Sequence, residues 1–505
     1  MAEDTSRGSA VTVTAVAPRD TESTSLLWKS VSSEKETTWK TETKVLGTYS
    51  ISLIIANMLQ FSLNMSSMLI ISPRGKVEFG AVSVATTTAN ITGFMVFQGL
   101  CTSLDTLCGQ AWGSGNLELK QLHVQRMIVL LGAVGTPIAI LWFSANHLFS
   151  LILPDPQTSV LAGLYLRIII CAIPGFVVFE AGKRILTAEG IFFPVTGILG
   201  AGACTNAFLG WLLVWVGGIK LIHDVSGADF AKRCDLGFIG APIAVATTWT
   251  LIPMYFWLYL TLVGKRGHLP YLTSTALRGW SPMLKLALPG LVMVEAEHLA
   301  FEILVIASAQ LSTADLAAQT ILATLNSAFW QIPFSISIAG TTMIAHHIGA
   351  RSARLARISA LVVFVSALLC SATNSILFFS FRTSWPRIFT NDPDVVDLVE
   401  NTLPLVAAMQ LFDGLVACCN GMLRGCGRQS VGGWVNLSCY YVVALPVSLW
   451  TTFGLHWGLK GLWAGVTFAL VLVTFAELIF LITADWQKSV EDADCRNIAS
   501  VDREP

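Results

Sequence analysis

The sequence predicts an all-α polytopic membrane protein, with twelve transmembrane helices in two pseudo-symmetric six-helix bundles. Three observations lead there. Of 505 residues, 54% are hydrophobic and only 12% charged, with a mean hydropathy of +0.65; a soluble domain carries about 25% charged residues. The apolar residues fall into runs long enough to cross a bilayer as helices. Short motifs recur between the two halves of the chain, as in transporters built from repeats. The net charge of −1 gives no global field to attract nucleic acid.

The spans are read at 45–71, 80–107, 127–153, 160–181, 192–216 and 236–263, then at 283–311, 316–345, 358–381, 396–423, 432–453 and 461–484. Residues 1–44 are polar with no apolar run and are read as a disordered cytosolic tail. Residues 45–263 form the first bundle, 264–282 a cytosolic linker, 283–484 the second bundle and 485–505 a cytosolic C-terminal tail. Connections after even-numbered spans hold thirteen Lys and Arg, against eight on the other side, so the positive-inside rule places both termini in the cytosol. Neither tail carries an address that separates plasma from vacuolar membrane. Eleven Cys are scattered without CxxC or CxxH spacing and are read as reduced packing residues.

The repeat is clearest where the second and eighth spans end. A shift of 236 residues superposes Gly113 on Gly349 and Ala111 on His347. Gly237-Phe-Ile-Gly240 likewise parallels Gly458-Leu-Lys-Gly461. Six spans per half start both halves on the same side, so the repeats are parallel, with a site expected between them.

The seventh span is the costly one. It carries Glu295, Glu297 and Glu302 near its middle, and three ionised carboxylates there would cost on the order of 8–10 kcal/mol. Intramembrane acids are rarely idle. On a helix Glu295 and Glu302 share a stripe, while Glu297 lies about 140° from Glu302, so the three cannot all face one cavity. Asp413 would supply a further wall. Phe301, Phe329, Trp330 and Phe412 lie near the acids and could hold a cation's body by cation–π contact. Pro289 and Pro333 could bend their helices.

Several motifs resemble the multidrug and toxic compound extrusion (MATE) family. They are Leu104–Asn116 (LDTLCGQAWGSGN), Asn90-Ile-Thr-Gly, Gly237-Phe-Ile-Gly-Ala-Pro, Met422-Leu-Arg-Gly-Cys-Gly-Arg-Gln and Tyr440-Tyr-Val-Val-Ala-Leu-Pro, over roughly residues 45–484. The resemblance implies an antiporter that exports organic cations, xenobiotics or secondary metabolites in exchange for protons. Glu297, Glu302 and Asp413 match the proton-coupling acids of the eukaryotic branch, and Gln60 and Asn90 match polar cavity residues. With Glu295, Phe301, Trp330 and Phe412, the last two complete the expected substrate-binding set. Some positions depart from the family: the first span has no acid, Asn57 stands where proline is usual, and His298-Leu299 replaces a Trp pair.

The expected partners are therefore a small organic cation, protons and the lipid bilayer, with no nucleic acid, no cofactor, no metal and a monomeric chain. Sodium coupling, or a neutral or anionic metabolite as cargo, is the alternative on the same fold. An anionic or lipid-linked cargo would call for cations inside the spans, and Arg167, near one end, is the one candidate. A membrane-embedded enzyme would need clustered His, or a nucleophile beside its base, and a channel a symmetric filter; neither pattern occurs.

Overall fold

The computed structural model describes residues 39–152, 155–216, 237–263 and 273–501. The first bundle contains α1 (Trp39–Ile71), α2 (Val77–Gly113), α3 (Leu117–Phe143), α4 (Pro156–Thr187), α5 (Phe193–Val214) and α6 (Gly237–Leu262). The second contains α7 (Ser281–Ser308), α8 (Thr313–Gly349), α9 (Ala353–Ser380), α10 (Pro393–Cys426), α11 (Gln429–Gly454) and α12 (Leu459–Thr483). Eleven of the twelve are long and apolar enough to span a membrane. The remaining one, α7, is 28 residues long but holds Lys285 and the three glutamates. The fold is the predicted all-helical polytopic one.

In the first bundle α1 packs on α5, α2 on α3 and α4, and α6 on α4 and α5. In the second, α10 runs through the centre against α8, α9 and α12, while α7 packs on α11. Apolar and small side chains fill these contacts. α10 buries Val399, Leu403, Val406, Met409, Cys418, Cys419 and Leu423.

Three helices contain four π-helical turns: Asn90–Phe94 in α2, Leu212–Val216 at the end of α5, and Cys439–Ala444 and Trp450–Gly454 in α11. An inserted residue of this kind locally rotates the side chains that follow it, and such turns gather at functional sites. Pro289 and Pro333 lie inside α7 and α8, which stay helical through them.

Two boundaries differ from the sequence reading. α1 begins at Trp39, not residue 45, and Glu42 is fully buried, accepting from Ser359 Oγ at 2.7 Å with His347 Nε2 at 3.4 Å. The stretch read as a C-terminal tail is instead α13 (Trp486–Val501), tied down by Arg428–Asp492 (2.8 Å) and Arg351–Asp494 (2.9 Å). The rest of the N-terminal tail, and the linker from 264 to 272, lie outside the described residues. Helices also run past their apolar cores, so cations assigned to loops sit inside helix ends. Lys120 pairs with Glu189, and Arg184 with Asp105 and Glu180, all buried. A hydropathy window stops at such charges, whereas the backbone continues because each charge has a partner.

Candidate functional site

The bundles meet along one end. Thr106 Oγ1 donates to the Arg424 carbonyl (2.6 Å), and Gln110 Nε2 to the Gly425 carbonyl (3.2 Å). Gln429 Nε2 reaches back to Thr106 Oγ1 (3.0 Å). His346 Nε2 donates to the Ala188 carbonyl, and Arg496 of α13 to Gln110 Oε1 (3.0 Å). Further from this end, Asn57 Nδ2 of α1 donates to Ser335 Oγ of α8 (2.9 Å). All the bonds at this end lie on the side where α1 begins and α13 sits.

The contact carries the repeat found in sequence. A Cβ on Gly113 would meet the His346 carbonyl oxygen at 2.2 Å, and one on Gly349 would meet that of Gln110 at 2.2 Å. Gln110 and His346 are themselves related by the 236-residue shift. The contact is reciprocal, as a two-fold relation between halves requires. Glycine is needed here because backbone packs on backbone.

Above this seal lies a cavity of about 340 Å³ between the bundles. It extends toward the opposite membrane face, ending at Val305 and Ala323. Of the residues predicted from sequence, Gln60, Asn90, Glu297, Phe301, Glu302 and Trp330 line it. Asn90 is presented by the first residue of the α2 π-turn. The wall beside the acids is aromatic. His298 meets Trp330 edge-on at 6.1 Å, and Trp330 stacks on Phe334 at 4.2 Å and 18°. The Arg424 guanidinium lies 5.9 Å from the Phe334 ring.

Four predicted residues lie elsewhere. Glu295 does not line the cavity, and its oxygens have no hydrogen-bond partner among the described residues. Its neighbour in charge terms is Tyr441 of α11. Phe412 packs in the α7–α12 core, and Phe329 against Phe378 and Trp385. Asp413 is 1% exposed and sits behind the cavity wall, within electrostatic reach of Glu297.

The cavity floor adds charged residues that the sequence reading left outside the expected site. Asp105, Glu180, Lys183, Arg184 and Arg424 all line it. Arg184 bridges Asp105 and Glu180, and Lys183 bonds Glu180 at 2.7 Å. Arg424 donates to Ser337 Oγ at 2.9 Å. Cations thus do occur within the membrane helices, and the expectation that Arg167 stands alone is overturned. Arg167 is exposed and donates to the Phe143 carbonyl. The i, i+4 spacing of Glu180 and Arg184 was visible in sequence; the approach of α2 and α10 to them was not.

This is the architecture of a two-bundle transporter: a polar, acid-bearing cavity sealed on one side. The comparisons give the family. The MatE family model matches residues 52–212 and again 289–450, one copy in each bundle. An uncharacterized transporter of Schizosaccharomyces pombe is 36% identical over 87% of this chain and 80% of its own length. Protein DETOXIFICATION 16 of Arabidopsis thaliana is 30% identical, with 88% of each chain covered. Multidrug and toxin extrusion protein 1 of Xenopus tropicalis is 31% identical over 88% of this chain and 74% of its own. The crystal structure of the eukaryotic MATE transporter AtDTX14 superposes with a TM-score of 0.83 at 27% identity, covering 91% of this chain and 99% of that one. The chain belongs to the MATE family of multidrug and toxin extrusion transporters and is a multi-pass membrane protein.

Proposed function

We propose that the protein is a proton-coupled antiporter that exports organic cations by alternating access. One observation carries the reading: Glu297 stands on the cavity wall with Asp413 buried directly behind it in charge terms. Carboxyls so placed repel each other when both are ionised, which favours their holding a proton between them. A cation entering the cavity meets negative charge at Glu297 and Glu302, and the aromatic face of Trp330. Proton uptake removes that charge and releases the cation, so proton and cargo compete for one site.

With both termini in the cytosol, the seal described above closes the cytosolic side. The cavity then faces the lumen or exterior, where protons are supplied. Lys183, Arg184 and Arg424 on the floor favour a second reading, in which the cargo also carries an anionic group. The test is uptake of ethidium into proteoliposomes under an imposed pH gradient. Wild type is expected to follow the gradient, while Glu297→Gln and Asp413→Asn lose gradient-driven uptake. Uptake that ignores the proton gradient but follows sodium would overturn the proton reading.

A further inference from the structure

α12 brings one more acid to the site, and neither the family motifs nor the cavity lining contains it. Glu477 lies in the apolar stretch Leu459–Thr483, is 0% exposed, and has no hydrogen-bond partner for either oxygen among the described residues. A glutamate kept only for packing would have its carboxyl satisfied, because an unsatisfied buried polar group is destabilising and leucine fills the same space without that cost.

The groups around Glu477 come from three helices. From α7, Glu297 is within electrostatic reach. From α10 come Arg424 and Cys419, and from α11 Cys439 and Tyr440. The Tyr440 hydroxyl is fully buried, lacks a hydrogen-bond partner, and lies within electrostatic reach of Glu297, Asp413 and Glu477 together. Asp413 Oδ2 is also unpartnered. Tyr440 thus brings an unpartnered buried hydroxyl within electrostatic reach of one Asp413 oxygen and two Glu477 oxygens that are themselves unpartnered among the described residues. Arg424 is a cation within electrostatic reach of Glu477, and it also lines the cavity.

We propose that Glu477 is a third proton-binding carboxyl of the exchange site, taking and giving up its proton in step with Glu297 and Asp413 from behind the cavity wall. The transfer balances simply. A proton leaves the Glu477 carboxyl and joins a carboxylate of Glu297 or Asp413, so the charge of the trio is unchanged, and Arg424 faces the carboxylate left behind. Tyr440, whose hydroxyl both donates and accepts, is within electrostatic reach of all three. Net exchange with the cavity then occurs at Glu297, the member of the trio that lines it.

The transport consequence rests on the proton-exchange reading above, but protonation of Glu477 itself does not. The test therefore has two arms, both on full-length protein in lipid. Infrared difference spectra between acidic and alkaline pH should contain a protonated-carboxyl band that disappears in Glu477→Gln. In proteoliposomes, the same variant should still bind ethidium, but with fewer protons exchanged per ethidium. The proton concentration at half-maximal uptake should change by about tenfold, the size of coupling that makes two sites titrate together.

A pH-dependent carboxyl spectrum identical in wild type and Glu477→Gln would overturn the proposal, even if transport proved proton-driven. Should Glu477→Gln fail to fold, Glu477→Asp decides instead. A displaced but still pH-sensitive band supports the proposal, and a carboxyl band that does not respond to pH overturns it. A wild type that ignores the pH gradient while keeping the Glu477 band would sink the antiport reading and leave the titration intact.

Discussion

At the scale of single residues, the cavity separates charge from the surface that would grip a substrate. Glu297 and Glu302 carry the charge, and Trp330, held by His298 on one side and Phe334 on the other, carries the flat surface. Trp330→Ala should raise the KM for an aromatic cation by about 2- to 30-fold, the worth of one cation–π contact, while sparing an aliphatic cation of similar size. Uptake kinetics for the two probes check it. A structural charge should behave differently. Glu189→Ala leaves the Lys120 ammonium buried without its carboxylate, since the two are 4% and 1% exposed. Breaking such a pair costs about 3–5 kcal/mol, so thermal unfolding in detergent should shift down sharply.

The elements explain why these side chains are where they are. α2 ends on Gly113 and α8 on Gly349, and each glycine admits the other helix's backbone. Gly349→Val should hold the bundles apart on the termini side without unfolding either one. A cysteine placed at Thr106, now buried, should then become open to a membrane-impermeant thiol reagent added from that side. Unchanged labelling would mean that the seal does not depend on this contact. α13 reinforces the same side through Arg496 and Gln110. Its two ion pairs to α9 and α10 ends involve partly exposed groups, each worth about 0–1 kcal/mol at most. Truncation after residue 485 should therefore weaken gradient-driven uptake without abolishing membrane insertion.

For the whole molecule, the proposed exchange requires that the two bundles part on one side and close on the other. Asn57 and Ser335 touch across the bundles. Cysteines at both positions, in a background freed of its other thiols, should cross-link on oxidation and stop ethidium transport, with recovery on reduction. Transport that continues while the cross-link is complete would mean that α1 and α8 do not separate during the cycle. α1 is itself shared: Val45, Leu46, Tyr49 and Leu53 bury against the second bundle's core, although the helix opens the first. The two halves are thus less independent than their sequence repeat implies.

The sequence by itself determined the fold class, the twelve-helix count, the family and the acids of α7. Each of these is a local property: an apolar run of set length, a motif, or a charge where charge is costly. Glu477 was equally legible by that last criterion, as an acid inside an apolar run, but had no neighbouring acid in sequence to mark it. The tertiary structure alone decided which acids meet. Glu295 and Glu297 are two residues apart yet have different surroundings, while Asp413 and Glu477, from two other helices, each come within electrostatic reach of Glu297. It also decided that Arg184 and Arg424 face the cavity rather than a loop. The physical reason is that hydropathy records how each segment partitions into lipid, whereas the facing of a charge depends on helix rotation and on partners contributed by distant segments.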